Sequence, residues 1–493
     1  MTWLIAGLLL VAALVYVPIR ANRAAVRAVL RSRSRLDRFK LTKKPFIRAT
    51  LLADETIARA VKQHAAENSV DEAATWKRVD AYIDEIVPFF NILTYYKLGL
   101  AVSRVLLNFF YKVSAEHATG PAAVALPRDA IVIYLMNHRS NADYVLVGYV
   151  LSGRVAISYA VGEWARTFPL EYVFKSFGAY FIRRNYRERL YHTVLEQYVQ
   201  LITRNGVTQG IFIEGGLSRD GKLGKAKIGL IDYVLGVARD PALRNRLYVV
   251  PVAINYDRVL EDRSLLRELD MREGRKPPPR RAQLGEVLRY VWWNMARLVA
   301  RKWKRYGRAA VVIGDPLPLA PWFDREDLAT GGLFALERSE RLARVQLLTD
   351  SVLERIAAIV PVTPVTLACA AIQSLDEDFI AHERLLTRMA EMRDVLKELN
   401  ARVIHHEGSI EEVFDRAWRM LSMRRILVIV GAGYSVLPHS RALISFYANS
   451  ISHLLGPFAE GVRQRDRLPA LQLFPSTAAA PLTQPPVPSN FIG

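Results

Sequence analysis

The segment NHRSNADY, which follows a short apolar run, combines side chains that suit general-base chemistry. It places His138 five positions before Asp143. The ordinary pKa of a histidine lies close to neutral, so an imidazole can take the proton of an attacking hydroxyl. A carboxylate bonded to the other ring nitrogen would hold that base in one tautomer. We interpret His138 as a base that Asp143 orients, although the spacing alone also fits a structural histidine.

A second segment, GAYFIRRN (178–185), carries two adjacent arginines at the end of an apolar run. Guanidinium groups bind phosphate through paired hydrogen bonds, so Arg183 or Arg184 could hold a phosphorylated ligand. A solvated strand end with two charges that bind nothing is the alternative interpretation.

A third segment, IFIEGGLSRDGKLGKAK (211–227), joins an apolar run to a glycine turn and basic residues. Glycines let backbone amides approach a ligand closely, and the residues that follow add positive charge. The pattern predicts an anion-binding turn. It differs from the nucleotide phosphate loop, because Leu223 stands where that loop needs Ser or Thr.

The elements that must position these residues are short apolar runs with helical stretches between most of them. Helices are predicted at 187–204 and 225–238. Pro251 within its run predicts an edge strand or a bulge. Strands alternating with helices favour the α/β class, a mixed sheet flanked by helices with mostly helical regions on both sides. The predicted strands are 130–136, 155–160, 179–182, 210–214, 247–255 and 309–314.

The N-terminus predicts a membrane anchor. Residues 3–19 carry no charge, and residues 20–44 hold ten Lys or Arg against the single acid Asp37. Seventeen apolar residues are at the lower limit for a span, and flanking positive charge collects on the cytoplasmic side. We expect a bacterial inner-membrane protein with its bulk in the cytoplasm, in contact with anionic lipids. A buried or interfacial helix is the alternative. The aromatic and basic stretch 287–306 could also lie on a membrane surface.

Composition narrows the class of partner. Lys and Arg outnumber Asp and Glu by 68 to 48, a formal charge of +20, which favours anionic ligands, lipids or nucleic acid. A basic membrane- or nucleic-acid-binding protein is therefore the non-enzyme alternative. Because the arginines concentrate beside the apolar segment and no nucleic-acid-binding motif is recognisable, we expect no nucleic-acid partner. A single cysteine, and histidines 405 and 406 without H-E-x-x-H spacing, argue against a metal site.

Taken together, these blocks resemble the glycerolipid acyltransferases, and within them the bacterial glycerol-3-phosphate and dihydroxyacetone-phosphate acyltransferases. The family's N-H-x-x-x-x-D, G-x-x-F-I-R-R, F-x-E-G-G-R-S-R-x-G-K-L and V-P-V motifs correspond to Asn137–Asp143, Gly178–Arg184, Phe212–Leu223 and Val250–Val252. The resemblance spans about residues 90–320 and continues weakly through 361–364 and 446–455. One departure stands out: Leu217 replaces the first arginine of the third motif.

The resemblance implies transfer of a fatty acyl group from acyl-CoA or acyl carrier protein to the sn-1 hydroxyl of glycerol-3-phosphate, in phospholipid synthesis. Acylation of lysophosphatidic acid or dihydroxyacetone phosphate is the alternative. It implies no cofactor and no acyl-enzyme, in agreement with the lack of a G-x-S-x-G elbow. His138 would be the base and Asp143 its partner. The implied substrate-binding residues are Arg139, Gly178, Arg183, Arg184, Glu214, Gly215, Ser218, Arg219, Lys222 and Pro251.

These features predict five segments along the chain. They are an anchor (1–20), a basic juxtamembrane and helical region (21–115), an α/β catalytic domain (116–320), a helical C-terminal region (321–474) and a disordered tail (475–493).

Overall fold

The structure, a computed structural model, describes ten stretches of the chain. They are residues 44–88, 100–119, 126–151, 157–162, 171, 174–175, 178–183, 186–272, 305–405 and 407–456. No helix in these stretches is long and apolar enough to cross a membrane. The predicted anchor (1–20), residues 287–304 and the predicted tail (475–493) lie outside the described residues and stay predictions.

Eight strands of the described residues form one mixed sheet. They are β1 (Lys112–His117), β2 (Ile131–Met136), β3 (Ser158–Gly162), β4 (Tyr180–Ile182), β5 (Gln209–Phe212), β6 (Leu247–Tyr256), β7 (Arg308–Ile313) and β8 (Leu317–Pro318). Their order is β1-β7-β6-β2-β5-β3-β4, and β8 also pairs with β6. β2 is parallel to both β5 and β6, whereas β6 and β7 are antiparallel. The carboxyl ends of β2, β5 and β6 therefore meet at one edge of the sheet.

The central strands are continuous apolar runs because both faces of the sheet are covered. Every residue of β2 is buried, and its side chains alternate between two separate hydrophobic cores. Val132, Tyr134 and Met136 belong to one core, while Ile131, Ile133 and Leu135 belong to the other. Such runs are typical of strands buried on both faces. The predicted α/β class with a mixed sheet is confirmed.

The helices divide between the two faces of the sheet. The α-helices are α1 (Lys44–Leu52), α2 (Glu55–Asn68), α3 (Glu72–Ile86), α4 (Leu100–Phe110), α5 (Asp143–Leu151), α6 (Arg189–Arg204), α7 (Gly229–Leu235), α8 (Pro241–Arg244), α9 (Asp262–Arg272), α10 (Ala320–Thr330), α11 (Arg338–Ala358), α12 (Pro364–Leu375), α13 (His382–Glu398), α14 (Ile410–Met423), α15 (Arg441–Asn449) and α16 (Ser452–Leu455). Helices α1–α3, α6–α8, α10 and α11 contribute to the core that contains Ile133. Helices α4, α5, α9 and α12–α16 contribute to the core that contains Tyr134.

The region after the sheet packs around α12, which is buried from Pro364 to Ile372. Thr363 caps this helix, and Val365 donates its backbone N–H to the buried carboxylate of Asp257, 3.3 Å away. The P-V-T-P segment (361–364) thus docks the C-terminal region onto the end of β6. A small antiparallel sheet, β9 (Phe379–Ala381), β10 (Leu427–Val430) and β11 (Gly433–Val436), adds strands to this mostly helical region.

One prediction for the N-terminal side differs from the structure. Residues 112–115, placed in the predicted helical region, begin strand β1, because they pair in parallel register with β7. The segment GAGYS (431–435) forms the turn and second strand of the β10–β11 hairpin.

The edge-strand prediction for Pro251 is wrong, because β6 lies between β2 and β7. Pro251 faces Leu135 of β2 on one side, and on the other its carbonyl accepts the N–H of Gly314 at 2.8 Å. A strand residue directs its nitrogen and its carbonyl to the same side. The side on which Pro251 lacks an N–H therefore faces Gly314, which lies just beyond the last residue of the β6–β7 ladder, Ile313. The proline thus removes no hydrogen bond from that ladder.

Candidate active site

His138 and Asp143 meet at the carboxyl end of β2. The Nδ1 atom of His138 lies 2.9 Å from Oδ2 of Asp143, and the side chains are 1% and 0% exposed. A carboxylate can only accept here, so the proton lies on Nδ1 and Nε2 carries the lone pair. No hydrogen bond to Nε2 is found from the described residues. The pair has the arrangement that a general base requires.

Asp143 begins α5 and accepts more hydrogen bonds than the one from His138. The backbone N–H groups of Arg139 and Ser140 donate to Oδ2 at 2.7 and 3.0 Å. The hydroxyl of Tyr256, at the end of β6, donates to Oδ1 at 2.6 Å. The carboxylate is thus fixed by the turn that carries the base and by the neighbouring strand. Negative charge at a helix N-terminus is favourable as well.

Aromatic side chains fix the plane of the His138 ring. The ring of Phe212, from the end of β5, stacks on it with centroids 3.9 Å apart and an interplanar angle of 19°. Tyr144 meets it edge-on with centroids 5.5 Å apart. Both aromatic residues belong to the core on the α5 side of the sheet. An apolar wall therefore lies beside the His138 ring.

Asn137 explains why the turn after β2 keeps its place. Its side-chain Oδ1 accepts the N–H of Ile254 at 2.8 Å, and its Nδ2 donates to the Ile254 carbonyl at 3.0 Å. The amide therefore extends the β2–β6 pairing one step beyond the last strand residue. His138 follows directly and leaves the sheet in a defined direction.

Glu214 joins the turn after β2 to the turn after β5. Its Oε1 accepts the N–H of His138 at 2.9 Å and its Oε2 accepts the N–H of Gly224 at 2.7 Å. Ser218 adds a bond from its backbone N–H to the His138 carbonyl at 3.1 Å. Burial raises the pKa of Glu214, while the two backbone donors act in the opposite direction. The predicted ligand Glu214 thus holds the two turns together.

Glu261, which precedes α9, holds the same turn from the other side. Its Oε2 accepts the hydroxyl proton of Ser140 at 2.6 Å, and its Oε1 accepts the N–H of Asn141 at 3.3 Å. Burial is the main reason why the pKa of Glu261 is raised, and the nearby charge of Asp143 raises it further.

Arg183 lies away from the base, on the edge strand side of the sheet. Its Nε and Nη2 donate to the two carboxylate oxygens of Glu85 in α3 at 2.8 and 2.6 Å. The guanidinium also lies over the ring of Tyr186, 4.6 Å from its centroid. β5 and β3 separate β4 from β2. Arg183 therefore attaches α3 to the sheet, and its role as an acceptor ligand stays a prediction. Arg184 lies outside the described residues.

The third motif (212–223) forms a turn that its own hydrogen bonds close. Ser218 donates its hydroxyl to the Lys222 carbonyl at 2.6 Å. Arg219 pairs with Glu268 at 3.0 Å, and the Lys222 side chain is exposed. Gly215 has a φ of +65°, which suits glycine.

Two further predicted residues act on the backbone. Gly178 has a φ of +84°, and its carbonyl accepts the hydroxyl of Ser158 at 2.6 Å, which joins β4 to β3. Pro251 is buried inside β6. Arg139 is buried beside His138 and donates from Nη1 to the Gly221 carbonyl.

Sequence reasoning missed Tyr256 and Glu261. They lie 113 positions from Asp143 and 121 from Ser140, so no local spacing connects them to the base. One signal was available: Tyr256 ends the strand that carries the V-P-V block, and carboxyl ends of parallel strands share one edge of a sheet.

Two family models match the chain in succession. The Acyltransferase family matches residues 123–255, and the glycerol-3-phosphate acyltransferase C-terminal region matches residues 292–459. The first match covers the base and the turns that hold it. The second covers α12 to α16.

Similar proteins carry the name glycerol-3-phosphate acyltransferase. One from Xylella fastidiosa (strain M23) is 25% identical over 421 residues, which is 82% of this chain and 46% of that protein. One from Pasteurella multocida is 28% identical over 421 residues, 82% of this chain and 49% of that protein. The chain thus spans about half the length of the relatives it matches.

This chain also matches a crystal structure of the 1-acyl-sn-glycerophosphate acyltransferase from Thermotoga maritima. The match covers 53% of this chain and 75% of the Thermotoga maritima chain. The identity is 16% and the TM-score 0.27, too low to support a common fold in detail.

Proposed function

We propose that this chain is a glycerolipid acyltransferase of the glycerol-3-phosphate acyltransferase type and that it acylates the sn-1 hydroxyl of glycerol-3-phosphate. The donor is a fatty acyl thioester, acyl-CoA or acyl carrier protein. The observation that carries the proposal is the buried His138–Asp143 pair within the family's first motif, 2.9 Å apart, with Nε2 as the remaining base. The apolar wall formed by Phe212 and Tyr144 supports a fatty acyl donor.

The reaction is a direct transfer. Nε2 of His138 takes the hydroxyl proton as the oxygen forms its bond to the thioester carbonyl carbon. The C–S bond then breaks, and the proton passes from the imidazolium to the leaving thiolate. Asp143 stabilises the imidazolium that exists between these steps. No residue of the chain is acylated.

The test is an assay of the detergent-purified protein with both donors and three acceptors: glycerol-3-phosphate, dihydroxyacetone phosphate and lysophosphatidic acid. His138→Ala should lower the rate about 10²–10⁴-fold, the usual contribution of a general base. His439→Ala, an exposed histidine in the C-terminal region, is the matched control. Activity of His138→Ala above a tenth of wild type would contradict the assignment.

Acceptor identity depends on Leu217, which is partly buried against the core on the α5 side. If the acceptor is glycerol-3-phosphate at a weakened site, Leu217→Arg should lower its KM. If the variant leaves glycerol-3-phosphate kinetics unchanged and impairs a lysophospholipid acceptor, Leu217 lines an acyl channel. The lysophosphatidic acid alternative would then be preferred.

We also propose that the protein acts at the cytoplasmic face of a bacterial inner membrane and contacts anionic lipids. The apolar residues 3–19 and the basic residues 20–44 support this. Deletion of residues 1–20 should weaken membrane attachment without removing it, because residues 287–306 remain. The measurement is sedimentation with membranes at low salt, and a fully soluble truncated protein would contradict the contribution of 287–306.

A further inference from the structure

Arg139, next to the base, is a buried cation with unused hydrogen-bond donors. It is 3% exposed, and only Nη1 has a partner among the described residues, the Gly221 carbonyl. Nε and Nη2 are buried and lack a hydrogen-bond partner in the same stretches of chain. Burying donors without partners is costly. Burial lowers the pKa of Arg139, yet a guanidinium stays charged in proteins.

The two unused donors lie on the same edge of the guanidinium. Nε–H and Nη2–H are directed to the same side and fit two oxygens of one carboxylate or phosphate. Arg183 shows this arrangement in the same molecule, because its Nε and Nη2 bind the two oxygens of Glu85. The corresponding edge of Arg139 has no carboxylate of the described residues bound to it.

The other cations of the four blocks do not offer the same donors near the base. Arg183 is bound by Glu85, Arg219 by Glu268, and Lys222 is exposed. Leu217 stands where the family has an arginine. Among the described residues of these blocks, Arg139, which follows His138 in the chain, is thus the buried cation with two donors that lack a partner.

The C-terminal region fixes Arg139 in place. The guanidinium carbon lies 5.5 Å from the centroid of the Phe446 ring, in α15. Gly221, which binds Nη1, has a φ of +87°, and a Cβ there would lie 1.9 Å from the Phe446 carbonyl oxygen. Asn449, one helical turn after Phe446 in α15, donates its side-chain N–H to the Asp220 carbonyl at 2.8 Å. Helix α15 therefore packs against the turn that binds Arg139.

We propose that Arg139 binds the phosphate monoester of the acceptor through Nε and Nη2, in a site that α15 completes through Phe446 and the turn at Gly221. The proposal rests on the proposed function and adds to it. It assigns the phosphate to the turn after β2 instead of the position of Leu217, and it makes the C-terminal region part of the acceptor site.

The experiment separates binding from catalysis by using the His138→Ala protein. Its Kd for glycerol-3-phosphate is measured by calorimetry, alone and combined with Arg139→Lys or Arg139→Met. Loss of the paired hydrogen bonds should weaken binding about 10- to 100-fold in both combinations. The increase in thermal midpoint that glycerol-3-phosphate causes should disappear with Arg139→Met.

Gly221→Ala tests the contribution of α15 while it keeps the guanidinium. It should also weaken glycerol-3-phosphate binding at least tenfold, whereas Gly229→Ala, with nothing within 4 Å of the added Cβ, should not.

Unchanged affinity in the Arg139 variants, or no binding of glycerol-3-phosphate at 10 mM by the His138→Ala protein (a concentration roughly 10- to 10⁴-fold above common KM values), would overturn the proposal. Wild-type acyl transfer is measured separately. If the wild-type protein transfers acyl groups but the Arg139 variants bind glycerol-3-phosphate with unchanged affinity, only this inference is contradicted. If the wild-type protein transfers acyl groups from no donor, the proposed function is contradicted.

Discussion

At the scale of single residues, the setting of His138, the proposed base, is defined by what surrounds its partner Asp143. Asp143 accepts from His138, from two backbone N–H groups and from Tyr256. Four donors leave the carboxylate little freedom to turn away from the imidazole. Burial raises the pKa of the Tyr256 hydroxyl well above its ordinary value, so this donor keeps its proton at any working pH. Glu261 fixes the same turn through Ser140.

Glu261→Gln should make stability less dependent on pH. The folded-state pKa of Glu261 is raised, so its contribution is fully present below the ordinary value of about 4.3 and is lost as pH rises through the raised pKa. The variant cannot ionise, and its amide can still bond Ser140. As the pH rises above about 4.3, the thermal midpoint of the variant should therefore rise relative to that of wild type.

The control for this prediction is Glu67→Gln, an exposed glutamate of α2. Thermal unfolding at several pH values is the measurement. Parallel curves for wild type and Glu261→Gln would show that Glu261 does not contribute to the pH dependence.

At the scale of elements, Arg183 links a helix to the edge of the sheet. Arg183 ties α3 to the end of β4 through Glu85, while Arg184 follows it outside the described residues. Successive strand residues point to opposite faces, so adjacent arginines need not share a role.

Arg183→Ala and Glu85→Ala should each cost about 1–3 kcal/mol of unfolding free energy, since the pair is only partly exposed. Neither should change the KM for the acceptor strongly. Arg184→Ala, predicted from the motif to contact phosphate, should raise that KM about 10- to 100-fold with little effect on stability. Denaturant titration measures the effect on stability, and steady-state kinetics measures the effect on the KM for the acceptor. A large increase of that KM in Arg183→Ala would identify Arg183 as an acceptor ligand.

At the scale of the whole molecule, the C-terminal region packs onto the part of the sheet that carries His138. Arg424 forms a buried pair with Asp262 at the start of α9, through Nη1 and through Nη2 at 2.9 Å, and Tyr447 bonds the same carboxylate. Asn255 of β6 donates to the Pro361 carbonyl and to Ser450. These contacts tie α12–α16 to the strand next to the base.

Arg424→Ala should cost about 3–5 kcal/mol, because it leaves the Asp262 carboxylate buried and unpaired. Replacing both partners, Asp262→Asn with Arg424→Met, should recover part of that loss. Urea unfolding monitored by fluorescence measures both. Equal losses in the single and double variants would mean that the pair itself stabilises the protein, rather than that the unpaired charge destabilises it.

Local pattern was sufficient for the strands and for the pairing of His138 with Asp143. Apolar runs identify buried strands because both faces of this sheet are covered, and a separation of five positions can close within one turn. Motif order also indicated the family, since four blocks rarely coincide by chance.

Tertiary structure alone decided the rest, because the deciding contacts join residues more than sixty positions apart. In the sequence, Arg139 and Arg183 are equally suited to bind phosphate. The structure distinguishes them, because Glu85 binds the Arg183 guanidinium whereas Phe446 packs on that of Arg139. The central position of Pro251 depended on where β7 ends. Tyr256 reached Asp143 only because β6 lies beside β2, a neighbour relation that the order of residues along the chain does not contain.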